Sequence, residues 1–173
     1  MAVAAPSTLP PESFLQPYLQ QGAYVDCYST QLPGLVTQTR FVEAFYMTRL
    51  FKLERAILAW VVKRPSTDAQ ATQLAHGSTD SFAAWNVERQ SENQVLLCDL
   101  HGRTRSWLMA VAEEAGGTAC TRLYFGSAVV PAASGRSGRK RMGTSFRLLL
   151  GFHRIYSRAL LGAARARLLS DAA

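Results

Sequence analysis

The chain has 173 residues, of which 48% are hydrophobic and 18% are charged. This balance excludes an intrinsically disordered chain, and the length suits a single domain with a sizeable core. The uninterrupted apolar stretches are far shorter than the roughly 20 residues of a membrane-spanning helix. The cysteines Cys27, Cys98 and Cys120 are an odd number and lie far apart in apolar segments. We therefore expect a cytoplasmic protein with buried, reduced thiols and no membrane span.

The formal net charge of +7 is distributed unevenly along the chain. Residues 1–134 contain ten Lys or Arg and eleven Asp or Glu, whereas residues 135–173 contain nine Lys or Arg and one acid, Asp171. The whole positive excess therefore belongs to the C-terminal fifth of the chain. Such asymmetry is typical of proteins that meet an anionic partner, although it carries no information on the fold.

The first part of the chain predicts an arm followed by a strand. Residues 1–20 are punctuated by prolines such as Pro6 and Pro10, which favour an extended, partly mobile arm. Polar and apolar residues then alternate over 23–28, as they do in a strand with one buried face. We therefore expect the folded domain to cover residues 21–173.

Two helices are predicted next. The pattern from Thr37 or Thr39 to about residue 62 is that of one long helix, apolar over so much of its circumference that it needs cover on two sides. Residues 66–68, Ser-Thr-Asp, then offer an N-cap for a short helix at 69–76, because an oxygen there can accept a hydrogen bond from a free backbone N–H.

The rest of the chain predicts an antiparallel sheet and a final helix. The period changes to two over four segments separated by short polar or glycine-containing turns, at 82–89, 94–100, 103–112 and 118–130. A glycine-rich basic segment at 132–143 predicts a mobile loop. A helix then runs from Thr144 or Ser145 to about residue 169. The sequence therefore predicts an α+β fold in the order β-α-α-β-β-β-β-α, with an antiparallel sheet wrapped around a long C-terminal helix.

The predicted final helix has two contrasting faces. At 100° per residue, four arginines fall within about 20° of one line along it, namely Arg147, Arg154, Arg158 and Arg165. We favour a solvated outer face, since charged helix faces usually are solvated. The alternative joins these arginines to the basic loop in one patch that binds nucleic acid or another polyanion. The loop residues of that patch are Arg136, Arg139, Lys140 and Arg141.

The opposite face of this helix carries His153 and Tyr156 among apolar residues. If the arginines point to water, both rings point towards the sheet, where each needs a hydrogen-bond partner or a wet cavity. The two rings are therefore either a satisfied core pair or ligand-orienting groups in a pocket. Arg105 alternates with Trp107 along one strand face, and it would anchor an acidic head group if that face lines the cavity.

The sequence contains none of the local motifs that force one chemistry. It has no phosphate-cradling glycine loop, no paired-cysteine zinc spacing and no nucleophile elbow. His76, His101 and His153 lie far apart, so no metal site is expected, and nothing predicts a cofactor. Ser106 and Ser127 have no base near them in the sequence, and no catalytic residue is assigned.

Three segments carry a resemblance to known proteins, namely Phe82-Ala83-Ala84-Trp85, Gly102-Arg103-Thr104-Arg105-Ser106-Trp107-Leu108 and Arg122-Leu123-Tyr124-Phe125-Gly126-Ser127-Ala128-Val129-Val130. Together with the element order over residues 23–169, they resemble the START-like (helix-grip, SRPBCC) superfamily of polyketide cyclase and lipid-transfer relatives. They are also similar to a bacterial family of uncharacterised function with that fold. The resemblance implies a curved sheet around a long last helix, with a cavity between them, and it implies no catalytic residues.

The leading hypothesis is a protein that binds a small hydrophobic or amphipathic molecule between the sheet and the final helix. The candidate ligand contacts are His153, Tyr156, Trp85, Trp107 and Tyr124, with Arg105 as head-group anchor. One alternative is a cyclase- or hydrolase-like enzyme that uses His153 and Tyr156 as an acid–base pair. Another is a module that binds nucleic acid or a similar polyanion through the C-terminal basic patch. A homodimer is left open.

Overall fold

The computed structural model describes residues 4–61, 66–130 and 144–172, and the predicted basic loop at 132–143 lies outside them. The strands are β1 Ala5–Pro6, β2 Tyr24–Pro33, β3 Ser81–Phe82, β4 Trp85–Gln90, β5 Gln94–Asp99, β6 Thr104–Ala115 and β7 Thr118–Val129. The helices are α1 Gln16–Gln20, α2 Gln38–Tyr46, α3 Arg49–Val61, α4 Asp68–Ala75 and α5 Thr144–Ser170. None of the helices within the described residues combines the length and the apolar composition that a membrane span requires.

The strands form one antiparallel sheet in the order β1-β2-β7-β6-β5-β4-β3. Strands β3 to β7 follow one another as a meander. Strand β2, which precedes the meander in the chain, pairs with its last strand, β7. The turn between β6 and β7 is Gly116–Gly117, with φ of +60° and +76°. Glycine adopts such angles most readily, and here it occupies both positions of a two-residue hairpin turn.

The two faces of the sheet are covered by different parts of the chain. Alternation along β6 and β7 turns Leu108, Leu123 and Phe125 towards helices α2, α4 and α5, and we call this side the helix face. The intervening positions, such as Trp107 and Ala128, lie on the other side against the N-terminal segment. We call that side the arm face. Each face therefore has its own apolar cluster.

The predicted α+β class with an antiparallel sheet and a C-terminal helix packed on it is confirmed. The four period-two segments coincide closely with strands. Thr67, within the predicted N-cap segment 66–68, caps α4, and the Gln70 side chain bonds back to the Thr67 backbone N–H. The sheet has two more strands than predicted, β1 and β3. Each is only two residues long, too short to produce a periodic pattern.

The predicted long helix is two helices, α2 and α3, which are separated at Met47–Thr48. The Thr48 hydroxyl donates to the carbonyl of Phe45 (3.0 Å) and accepts from the backbone N–H of Phe51 (3.1 Å). One side chain therefore binds a carbonyl at the end of α2 and caps the start of α3. The apolar pattern continues through this break, which is why periodicity alone indicated one helix.

The predicted N-terminal arm is part of the packed structure over residues 4–22. It contains β1 and α1, and Leu15 is fully buried on the arm face. The side chain of Gln94 on β5 fixes this segment, because its Oε1 accepts from the N–H of Phe14 (3.1 Å) and its Nε2 donates to the carbonyl of Glu12 (3.1 Å). The prolines shape the segment, and the two apolar residues Phe14 and Leu15 anchor it to the sheet.

Candidate functional site

A cavity of about 180 Å³ lies between the helix face of the sheet and helices α2, α3 and α5. Among the described residues, its aromatic and aliphatic lining comprises Phe45, Tyr46, Phe51, Trp85, Phe125 and Leu160. The described polar residues of the wall are Thr104, Arg105, Ser106, Ser127, His153 and Tyr156. An apolar enclosure with a few polar groups is the usual form of a small-molecule site.

Small side chains on two neighbouring strands create this space. Ser106 of β6 and Ser127 of β7 are directly paired across the ladder, and both lie on the helix face. Further along the same face, the paired positions Leu108 and Phe125 carry large side chains that fill the core. Because Ser106 and Ser127 have small side chains, this end of the helix face leaves room beneath α5.

A hydrogen-bonded network joins three elements at the polar end of the cavity. The Ser127 hydroxyl donates to Oδ1 of Asp26 on β2 (2.7 Å), which also accepts from the Ser127 backbone N–H (3.1 Å). His153 of α5 places Nε2 at 2.8 Å from the Ser127 Oγ and 3.3 Å from Asp26 Oδ2. Ser157 and Tyr28 complete the network, at 3.4 Å from the His153 Nε2 and 3.5 Å from Asp26 Oδ2 respectively.

Asp26 is the charged centre of this network. Its side chain is only 8% exposed, and burial by itself raises the pKa of the carboxyl. The hydrogen bonds from His153 and Ser127 outweigh burial and hold the pKa of Asp26 below its ordinary value. Burial, reinforced by the Asp26 charge, raises the pKa of the Tyr28 phenol. Asp26 is therefore an ionised acceptor at neutral pH, and Tyr28 remains a protonated donor.

The network does not have the geometry of a hydrolytic triad. In such a triad the carboxylate binds one imidazole nitrogen and the serine binds the other. Here Asp26 and Ser127 both approach Nε2 of His153, and the Ser127 proton already points to Asp26. The arrangement holds His153 in place and does not activate Ser127 through it. An acid–base role for His153 with Tyr156 stays a prediction.

The structure brings His153, Tyr156 and Trp85 together at the cavity, whereas Trp107 and Tyr124 lie on the opposite side of the sheet. Trp107 is fully buried against the N-terminal segment, and its indole N–H donates to Gln94 Oε1 (2.9 Å). The sequence interpretation placed all five aromatic and imidazole rings at one site. In the structure Ser106 faces the cavity, so its neighbour on β6, Trp107, faces the opposite side of the sheet.

Arg105 belongs to the cavity wall, but its guanidinium is held on the arm face. Its Nε donates to Glu88 Oε2 (3.0 Å), and its Cζ lies 4.8 Å from the centre of the Tyr18 ring. A further hydrogen bond joins it to the carbonyl of Gly102. With these partners the side chain is a structural link between the sheet and α1, and it does not reach into the cavity as the predicted head-group anchor.

The described arginines of the α5 stripe lie along the β1–β2 edge of the sheet. Arg158 donates to the carbonyl of Ala4 (3.0 Å), and Arg165 donates to the carbonyl of Gln31 (2.9 Å). Arg154 is exposed, and its hydrogen bond to Tyr24 raises the pKa of its guanidinium. Arg136, Arg139, Lys140, Arg141 and the side chain of Arg147 lie outside the described residues. A polyanion-binding role for this patch stays a prediction.

Metal and thiol chemistry find no support among the residues described. No group of three or more His, Cys, Asp or Glu side chains that could hold a metal ion occurs there. Cys27 and Cys120 are buried, Cys98 is half-buried, and all three are free thiols. Burial, with a smaller contribution from Asp26, raises the pKa of Cys27 to about 12, which makes it a poor nucleophile.

The sequence analysis did not bring together Asp26, Ser127 and His153, which form the polar network of the site. No base lies near Ser127 in the sequence, yet His153 reaches it from 26 positions further along the chain. Asp26 and Ser127 are separated by 101 positions. The detectable signal was an aspartate on an otherwise half-apolar strand, since a buried carboxylate needs hydrogen-bond donors.

No known protein family matches the chain when it is scanned against family models, and a search of curated proteins finds no match either. The fold and the site are those of an α+β protein whose antiparallel sheet and C-terminal helix border an aromatic-walled cavity.

Proposed function

We propose that this protein binds a small hydrophobic or amphipathic molecule in the cavity between the helix face and α5. The observation that carries the proposal is the combination of an aromatic enclosure with a fixed polar network at one end. An ionised Asp26 and an inward-facing His153 reduce stability unless they are well partnered, and here the two groups are partnered at the edge of an open space. Such an arrangement is suited to orienting a ligand.

The volume of the cavity sets the size of this ligand. Protein cavities of about 150 Å³ accept benzene, whereas sites for drug-sized molecules span about 300–1,000 Å³. At about 180 Å³, the cavity matches a molecule with one aromatic ring or a short aliphatic chain, plus a small head group. Long-chain lipids and polycyclic compounds exceed it.

The resemblance to the START-like superfamily is consistent with this proposal. That resemblance implies a long last helix packed on an antiparallel sheet with a cavity between them, which is where the proposed ligand would bind. The proposal for this chain is narrower, because its ligand is limited to a single-ring size.

Benzyl alcohol is a suitable first probe, because it combines one ring with one hydroxyl. Trp85 lines the cavity and gives a fluorescence signal on titration, which the Trp85→Phe variant should lack. We expect saturable binding with a dissociation constant on the order of 1 mM, equivalent to about −4 kcal/mol. Absence of a saturable signal for every single-ring probe would contradict the proposed function.

Variants of the polar wall separate binding from folding. Tyr156→Phe and His153→Ala should each weaken binding several-fold. The melting temperature should stay within a few degrees of wild type for Tyr156→Phe and fall further for His153→Ala, because the buried Asp26 carboxylate then loses a partner. Ile155→Ala is the matched control, since Ile155 lies between them on α5 and its side chain is 71% exposed. If His153→Ala and Tyr156→Phe bind the probe as wild type does, the polar wall does not orient the ligand.

A further inference from the structure

We propose that the head group of this ligand is a protonated amine. The inference rests on the proposed function and adds the chemical class of the occupant. It follows from the direction of the hydrogen bonds at the polar end of the cavity, from the charge that they hold there, and from the aromatic rings around the space.

The Ser127 hydroxyl presents an acceptor to the cavity. Its proton is committed to Asp26, because the Oγ–Oδ1 distance is 2.7 Å and the carboxylate has no proton to give in return. A hydroxyl has one donor and two lone pairs, so Ser127 can only accept from any other group. One lone pair receives His153 Nε2, and the other receives no donor from the described residues, so it can accept from a ligand that donates.

His153 is fixed as a donor at Nε2 by the same reasoning. Asp26 Oδ2 and the Ser127 Oγ both face this nitrogen as acceptors, so Nε2 carries the proton. In a neutral imidazole the other nitrogen, Nδ1, is then an acceptor. The network therefore favours a head group with N–H or O–H donors over one with acceptors only.

The charge at this end of the cavity is negative when the imidazole is neutral. The Asp26 carboxylate is ionised, and among the described residues no Lys or Arg side chain forms an ion pair with it. Arg105 is paired with Glu88 on the arm face, and Arg154 is exposed and bonded to Tyr24. A ligand carboxylate bound beside Ser127 would be repelled by the Asp26 charge behind that hydroxyl, whereas an ammonium group there would be attracted to it.

The aromatic lining adds a second attraction for a cation. Phe45, Trp85 and Phe125 belong to the wall, and an ammonium group placed over a ring face is stabilised by the ring quadrupole. An aromatic enclosure beside a carboxylate is therefore suited to an amine carried on a small apolar body.

Three probes of nearly equal shape and different charge test this inference. Benzylamine, benzyl alcohol and benzoate are titrated by calorimetry into the wild-type protein near neutral pH. We expect benzylamine to bind at least about tenfold more tightly than benzyl alcohol, and benzoate to bind more weakly than both. If benzyl alcohol or benzoate matches or exceeds benzylamine, the amine inference fails while the proposed function stands. If none of the three binds, the proposed function itself fails.

The Asp26→Asn variant tests the origin of the preference. It should lower the affinity for benzylamine at least about tenfold more than it lowers the affinity for benzyl alcohol. Asp68→Asn is the matched control, since Asp68 lies on α4 in an ion pair with Arg55 and has no hydrogen bond to a described cavity-wall residue. An unchanged ratio of the two affinities in Asp26→Asn would overturn the inference. If that variant does not fold, the affinities of wild type for benzylamine, benzyl alcohol and benzoate still test the inference.

Discussion

The two faces of the sheet use the same strands for opposite purposes. On the arm face, a Cβ placed on Gly126 would lie 2.8 Å from the Asp26 carbonyl oxygen, 2.9 Å from Leu15 Cδ1 and 3.0 Å from Trp107 Cε3, so the packing has no spare room. On the helix face, the next residue of β7, Ser127, lines a cavity of about 180 Å³. Neighbouring residues of one strand therefore belong to a closely packed arm face and to an open site on the helix face.

The largest expected effect comes from removing the central ring of the arm face. Trp107→Ala should lower the free energy of unfolding by about 3–5 kcal/mol, because it deletes a fully buried indole and removes one of the two N–H donors to Gln94 Oε1. Trp85→Ala, at the cavity, should cost clearly less and should abolish probe binding. Urea unfolding of both variants measures the difference, and equal losses would remove the distinction between the faces.

Asp26 supports the polar end of the cavity, and its loss should cost stability in a pH-dependent way. Asp26→Asn should lower the free energy of unfolding by about 1.5–3 kcal/mol at neutral pH. Because the folded-state pKa of Asp26 is lowered, its contribution is fully present above about pH 4 and is lost as the pH falls through the folded value. Unfolding measured against pH should therefore show wild type and variant converging in acid. A constant difference would contradict this.

Gly126→Ala tests the close packing directly. The added methyl group would meet backbone as well as side chains, so the variant should lose about 1–3 kcal/mol. Gly162→Ala on α5 is the matched control, since nothing lies within 4 Å of the position of its Cβ. A helical glycine with free space should gain about 0.5–1 kcal/mol on the same change. Opposite signs in thermal unfolding confirm the contrast, and a tolerated Gly126→Ala would refute it.

The smallest stability effect is expected where the sheet has space. Ser106→Leu adds a side chain that the cavity can hold, so the free energy of unfolding should change by no more than about 1 kcal/mol in either direction. Thermal unfolding beside Gly126→Ala makes the comparison. A loss as large as that of Gly126→Ala would show that the helix face is also closely packed.

Much of the fold could be predicted from the sequence because local patterns determine it. The period of two over β5, β6 and β7, the Thr67 cap and the length of α5 all depend on neighbouring residues. The break between α2 and α3 depends on one hydroxyl, Thr48, inside an otherwise continuous apolar pattern. The packing of the N-terminal segment depends on Gln94, more than 70 residues away in the chain. Such long-range contacts leave no periodic trace.

The site was predicted only in part for the same reason. The orientation of His153 and Tyr156 towards the sheet followed from the helical pattern of α5, and both rings line the cavity. The face to which Trp107 and Arg105 belong follows from where the helices pack, which the alternation of β6 does not specify. The pairing of Ser127 with Asp26 needed the register of β2 against β7.

The central claim is that the space above Ser106 and Ser127 accepts a small amphipathic molecule. Calorimetric titration of benzylamine into wild type and Ser106→Leu, side by side, tests it most directly. The account predicts saturable binding to wild type and none to the filled variant, with both proteins melting at similar temperatures. Equal binding to the two proteins, or no binding to wild type by any single-ring probe, would contradict it.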